Sequence, residues 1–178
     1  MTVPRKSARQ CPLPPADFSS RQVPEIALNL GATTLYRIHR TIHPALFFTR
    51  RSKTAEVYRF DAPNDEFGVL YASESFEVCM AEAVIRGKFI GSTLPLLLDE
   101  STLLERSVSA LGHALPRALR LADLTKPLIG LGFTAQVLSD PNYAAPNQWS
   151  KAPARSSREF RRHLFYFPIC QRACGGNL

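Results

Sequence analysis

Glu82 is the first residue whose surroundings in the sequence could support chemistry. Residues 75–88 have the spacing of an amphipathic helix, and Val78 and Ile85 flank Glu82 on its own stripe. A carboxylate between apolar residues is costly unless it faces a cleft or has a partner, so Glu82 is a candidate functional group. The alternative is a surface ion pair with Arg86, four residues later, and spacing alone favours this alternative.

Two arginines and a tyrosine are the other candidates. Arg37 and Arg59 lie in short segments typical of strands, and a planar guanidinium group suits bidentate bonds to a phosphate or a carboxylate. Tyr71 ends a third such segment and could offer a stacking surface. Each also has an ordinary alternative, namely an exposed strand arginine or a core tyrosine with a hydrated hydroxyl group.

Common catalytic motifs are missing from the sequence. It has no glycine-rich phosphate loop, no HExxH pair and no Gly-x-Ser-x-Gly turn. The histidines have no spacing that builds a metal site, and Cys170 and Cys174 lack the second pair that a zinc site needs. We therefore expect free thiols and no metal.

Short strands and short helices must position the candidate residues. Periodicity predicts helices over 75–88, 126–131 and 144–152, and strands over 35–40, 57–60, 68–72, 94–98, 103–104 and 118–123. Because strands and helices do not alternate regularly, the pattern predicts an α+β domain with compact mixed sheets and short helices. Five prolines among the first 24 residues predict a flexible leader over 1–30, followed by a folded domain over 31–150 and a basic tail over 151–178.

Composition and charge restrict the class of protein. The 178 residues suffice for one domain with its own core, and no apolar run approaches the length of a membrane helix. The N-terminus lacks the apolar core of a secretory signal, so we expect a cytoplasmic protein without a membrane partner. The net charge is +7, yet residues 31–150 carry 12 basic and 12 acidic side chains, so the excess lies in the two ends. A nucleic-acid-binding domain usually carries its basic patch on the folded body, which argues against specific nucleic-acid binding.

Several segments, read together, resemble the RES domain family of bacterial toxin–antitoxin systems. They follow the order of the family's motifs: Leu35-Tyr36-Arg37-Ile38, Tyr58-Arg59-Phe60-Asp61-Ala62-Pro63, Phe67-Gly68-Val69-Leu70-Tyr71-Ala72-Ser73, Ala81-Glu82, Leu121-Ala122-Asp123-Leu124-Thr125 and Tyr143 to Trp149. The resemblance covers about residues 31–150. It favours a functional Glu82 over the simple surface pair.

The resemblance implies a fold similar to ADP-ribosyltransferase toxins, with NAD held in a cleft as the substrate and with no metal. Members cleave the nicotinamide–ribose bond of NAD or transfer ADP-ribose to a target protein. On this basis Glu82 and Tyr71 are the expected catalytic residues, and Arg37, Arg59 and Tyr71 are expected to bind NAD. The expected partner is a helix-turn-helix antitoxin that covers the cleft.

The C-terminal part departs from the family pattern. The family has a Ser-Arg pair on a later strand, whereas Ser157-Arg158 follows Trp149 too closely to match it. This departure motivates a second reading, in which the chain is an inactive RES remnant that acts at most as an antitoxin-binding module. A third reading, a small basic nucleic-acid-binding protein, conflicts with the neutral charge of residues 31–150.

Overall fold

Two small antiparallel sheets form the β part of the structure. The computed structural model describes residues 11–50, 52, 57–86, 95, 97–112, 118–124 and 128–156. Strand β1 (Glu25–Asn29) pairs with β4 (Ala118–Ala122), and β2 (Leu35–Arg40) pairs with β3 (Arg106–Leu111). Leucines from both sheets pack in one apolar cluster, which joins the two sheets. Its buried members are Leu28, Leu30, Leu35 and Leu121.

Strand β2 confirms the strand predicted over 35–40, and its side chains alternate between two faces. Leu35, Arg37 and His39 face the interior, whereas Tyr36 and Ile38 are partly exposed on the other face. An isolated backbone pair between Tyr36 and Ser73 brings a later segment to β2, and a second pair, Thr49 with Val69, joins that segment to the chain after β2. The segment approaches closely at Gly68, where a Cβ atom would lie 2.8 Å from the Cβ atom of Phe48. The two pairs therefore hold residues 69–73 at both ends, Ser73 on β2 and Val69 on Thr49, without forming a strand.

Short helices complete the described part of the chain. Helix α1 (Phe76–Met80) continues into a π-helical turn (Ala81–Ile85), and α2 (Glu100–Leu104), α3 (Ala135–Ser139) and α4 (Ala144–Ser156) follow. Two 3-10 turns lie at Phe18–Ser20 and Ile129–Leu131. The combination of short helices and small separate sheets confirms the α+β class.

The main core is built around Trp149 of α4. Its ring makes edge-on contacts with Phe18 at 5.4 Å and with Phe133 at 5.1 Å between centroids. Cys11 and Val23 are buried in the same cluster. The structure thus differs from the expected flexible leader over residues 11–30, because this segment supplies apolar side chains to the core and the strand β1. Residues 1–10 lie outside the described part.

Several local expectations differ from the structure. Residues 57–60 form a turn, and the segment 103–104 belongs to helix α2, with β3 following at Arg106. Helix 75–88 is confirmed as far as Arg86, and strand 118–123 and the start of helix 144–152 are also confirmed. Residues 94 and 96 of the expected strand 94–98 lie outside the described residues, and residues 95, 97 and 98 do not form a strand.

Candidate functional site

Glu82 lies on the π-helical turn that follows α1. The helix begins at Ser75, whose side-chain oxygen accepts a hydrogen bond of 3.2 Å from the backbone N–H of Val78. A π-helical turn is a rare interruption that occurs frequently at functional sites. Glu82 Oε2 accepts a hydrogen bond of 2.6 Å from Arg86 Nη1, and the two side chains are 29% and 36% exposed. The ion pair that spacing favours is therefore formed, and it remains accessible to solvent.

Arg59 lies within electrostatic range of this ion pair. Burial, followed by the positive charge of Arg86, lowers the pKa of Arg59, while Tyr143, Glu82 and Asp140 act in the opposite direction. Its Nη1 donates to the backbone carbonyl of Asp140, and its guanidinium carbon lies 4.9 Å from the centre of the Tyr143 ring. Glu82 and Arg86 are paired directly, and Arg59 interacts with both through longer-range electrostatics; we call these three residues the Glu82 cluster.

The hydroxyl group of Tyr71 contacts the turn formed by residues 58–61, which also carries Arg59. The hydroxyl donates to Asp61 Oδ1 and accepts from the backbone N–H of Phe60, both at 3.2 Å. Its ring lies 5.9 Å from that of Tyr58 at an interplanar angle of 58°. Tyr71 is therefore attached to the turn that carries Arg59.

Side chains of helix α4 donate hydrogen bonds to the 58–61 turn. Asn147, which is 2% exposed, donates from Nδ2 to the carbonyl oxygens of Tyr58 and Arg59, both at 2.9 Å. Ser150 Oγ donates to the carbonyl oxygen of Asp61 at 3.3 Å. The side chains of one helix therefore bond to three of the four carbonyl groups of residues 58–61, which explains why an irregular segment is held in one conformation.

Arg37 is placed differently from the other candidates. It is buried on β2 with 6% exposure, and its Nη2 donates to the carbonyl oxygen of Phe47 at 2.7 Å. Its Nη1 is buried and has no hydrogen-bond partner among the described residues. Burial lowers the pKa of Arg37. On the same face His39 Nε2 lies 2.9 Å from Ser109 Oγ.

The structure brings three of the four expected site residues together. Arg59 interacts electrostatically with Glu82 and is joined to Tyr71 through the 58–61 turn. Arg37 instead donates a hydrogen bond to the backbone carbonyl of Phe47. Sequence reasoning did not single out Asp61 or Asn147, although both lie in segments typical of the family. Only their burial and their long-range hydrogen bonds give them a role, and neither property has a signature in local periodicity.

A surface cavity of about 270 Å³ lies away from these residues. It is lined by the N-terminal segment and by α4, including Leu13, Phe18 and Lys151. None of the four expected site residues lines it. It shows no convergence of charged groups comparable to the Glu82 cluster.

Among the described residues, no group of three or more His, Cys, Asp or Glu side chains could hold a metal ion. No helix in this part of the chain has the length and apolar character needed to cross a membrane.

Comparison with known proteins gives one positive result. A family model described as "RES domain" matches residues 34–176, a range that includes Arg37, Arg59, Tyr71 and Glu82. The matched range also continues past residue 150 into the segment that we expected to be a divergent tail. No curated protein and no solved structure matches the chain.

Proposed function

The chain belongs to the RES domain family, and on this basis we propose that it is a toxin that cleaves the nicotinamide–ribose bond of NAD and is neutralised by a cognate antitoxin. The observation that carries the proposal is the Glu82 cluster. It combines a solvent-accessible carboxylate on a π-helical turn with two nearby guanidinium groups. A negative group beside positive groups suits a substrate that is cationic at the reacting ring and anionic at its pyrophosphate.

The chemistry assigns a simple role to Glu82. When the bond between the nicotinamide nitrogen and the ribose carbon breaks, its electrons leave with nicotinamide. Positive charge then builds on the ribose, as in other glycosidic cleavages. A preorganised carboxylate stabilises this charge and can accept hydrogen bonds from the ribose hydroxyls. An oxygen atom of water, phosphate or a protein side chain forms the new bond to the ribose carbon.

The ion pair with Arg86 does not prevent this role. An i, i+4 pair with both side chains partly exposed contributes only about 0.3–0.5 kcal/mol. Substrate hydroxyls can therefore displace Arg86 from Glu82 at little cost. The released guanidinium group is then available to an anionic part of the substrate.

Arg37 and Arg59 are the proposed pyrophosphate ligands. The unpartnered Nη1 of Arg37 supports this role, because a buried donor without a partner is costly and an anion would satisfy it. Arg59 is already oriented by the Asp140 carbonyl and the Tyr143 ring, so little side-chain entropy is lost on binding. Tyr71 supplies an aromatic surface for the nicotinamide or its ribose.

The proposed partner is a helix-turn-helix antitoxin that covers the cleft. Membership of a family known from toxin–antitoxin systems supports this part of the proposal. In the alternative reaction, ADP-ribosylation, the accepting oxygen belongs to another protein, which is then the target.

Cellular NAD after induced expression tests the proposal directly. We expect NAD to fall on expression of the wild-type chain and to stay unchanged with Glu82→Gln, because the amide keeps the size of the side chain and removes its charge. Glu105→Gln is the matched control, since Glu105 is an exposed carboxylate outside the cluster. It should deplete NAD as the wild type does.

Equal soluble levels of the three proteins must be verified. Unchanged NAD with all three would contradict the proposal and favour the inactive remnant. A fall of NAD with Glu82→Gln as large as with the wild type would contradict the role of Glu82.

A further inference from the structure

Tyr71 has an orientation that is unusual for a tyrosine. Exposed tyrosines generally keep the ring on the protein and direct the hydroxyl group to water. Here 37% of the residue is exposed, yet the hydroxyl is bonded to Asp61 and to the backbone of Phe60, which are 1% and 6% exposed. The solvent-exposed part of Tyr71 is therefore its ring.

Asp61 is itself held in one position. Its Oδ2 accepts a hydrogen bond of 2.8 Å from the backbone N–H of Tyr58, while Oδ1 accepts from Tyr71. Its backbone carbonyl accepts from Ser150 of α4 at 3.3 Å. Both carboxylate oxygens thus have defined donors, and the residue is anchored to the core through α4. Asp61 can therefore act as a rigid support for the phenol.

The same contacts leave the Tyr71 hydroxyl without a chemical role. It already donates one hydrogen bond and accepts another. Burial, followed by the negative charge of Asp61, raises the pKa of Tyr71 well above its usual value near 10. The hydroxyl is neutral at physiological pH and faces away from solvent. Only the ring remains available to a ligand, next to the half-exposed ring of Tyr58.

We propose that Asp61 is a positioning residue, which holds the Tyr71 hydroxyl inward so that the ring and not the hydroxyl meets the substrate. This inference rests on the proposed function for the identity of the substrate, whose flat nicotinamide ring suits such a surface. Asp61 does not touch the substrate. It acts through Tyr71, and Tyr71 acts through stacking.

A double-mutant cycle tests the inference in purified protein. Asp61→Ala and Tyr71→Phe each remove the hydrogen bond between the two side chains, so each should raise the KM for NAD about five- to tenfold and leave kcat within about twofold. The double variant should have the KM of either single variant, because the bond can be lost only once. Asp99→Asn is the control for loss of an exposed carboxylate and should change neither constant.

Two kinetic results would overturn the inference. A drop in kcat of tenfold or more in Tyr71→Phe, with KM unchanged, would mean that the hydroxyl takes part in the reaction. Effects that multiply in the double variant would mean that Asp61 acts independently of Tyr71.

A spectroscopic titration of the tyrosines separates this inference from the proposed function. In the folded wild-type protein one tyrosine should ionise later than the others as the pH rises, and Tyr71→Phe should remove this late step. Asp61→Asn should move the step to lower pH, because it removes the negative charge that opposes ionisation. If no late step exists, or if Tyr71→Phe retains it, the inference is wrong. If the titration behaves as expected but no variant turns over NAD, only the proposed function fails.

Discussion

At the scale of single residues, Arg37 and Tyr71 both reverse the usual relation between polarity and burial. Arg37 carries a charge into the interior and leaves Nη1 without a partner among the described residues. Tyr71 directs its polar end inward and its apolar ring outward. Local departures from the rules of stability are expected where a protein binds ligands, since binding requires groups that folding alone would not select.

Arg37→Met tests whether this arginine serves the fold or a ligand. Methionine fills a similar volume without a charge, so the relief of an incompletely paired buried guanidinium should offset the lost bond to the Phe47 carbonyl. We expect the free energy of unfolding in urea to stay within about 1 kcal/mol of wild type, while depletion of cellular NAD is lost. Arg40→Met, on the exposed end of the same strand, should retain depletion. A destabilisation by Arg37→Met of roughly 3 kcal/mol or more would assign Arg37 to the fold.

At the scale of elements, helix α4 does more than complete the core. One side of it buries Trp149 against Phe18 and Phe133, and another binds the 58–61 turn through Asn147 and Ser150. Residues 58–61 do not form a strand, and the side-chain contacts with α4 contribute to holding their conformation. The positions of Arg59 and Asp61 are therefore determined by a helix about 90 residues further along the chain.

Asn147→Ala should separate this turn from α4. The substitution removes two buried hydrogen bonds, of which only the one to Tyr58 leaves its carbonyl oxygen with another donor, the backbone N–H of Asp61. We therefore expect a loss of about 2 kcal/mol in the free energy of unfolding. Amide hydrogen exchange should become faster in residues 58–61. Gln148→Ala, an exposed neighbour on the same helix, should change stability by less than about 0.5 kcal/mol. Equal effects of the two variants would contradict the role assigned to Asn147.

At the scale of the whole molecule, the N-terminal segment belongs to the folded unit. Cys11, Phe18 and Val23 are buried in one cluster with Trp149, and β1 pairs with β4, which lies far away in the chain. Trp149 Nε1 also donates to the carbonyl oxygen of Pro12 at 2.7 Å. A proline-rich segment without internal periodicity is therefore ordered by contacts with the last described helix.

Phe18→Ala measures how much this segment contributes to the fold. Removal of a phenyl ring that is 4% exposed should lower the free energy of unfolding by about 3–5 kcal/mol. This is a large part of the stability of an ordinary domain. Leu13→Ala, in the same segment but 63% exposed, should cost less than about 0.5 kcal/mol. Urea unfolding of both variants provides the comparison, and a small effect at Phe18 would show that the segment is dispensable.

The sequence by itself determined the features that depend on neighbouring residues. The apolar spacing of residues 75–88 predicts α1, and the short aromatic and aliphatic segment 35–40 predicts β2. The ordered motifs indicate the family, and the α+β class follows from the irregular mixture of elements. Side-chain periodicity is a local property, so it can be recognised without knowledge of the fold.

Only the tertiary structure decided which distant groups meet. The 58–61 turn, the inward hydroxyl of Tyr71 and the buried N-terminal segment all depend on contacts with residues far away in the chain, especially those of α4. Residues 103–104 read equally well as a strand, yet they end helix α2, and β3 begins after them in register with β2. Such outcomes are set by burial and by the hydrogen-bond partners that buried polar groups must find, and these partners are specified by the packing of the whole chain and not by any one segment.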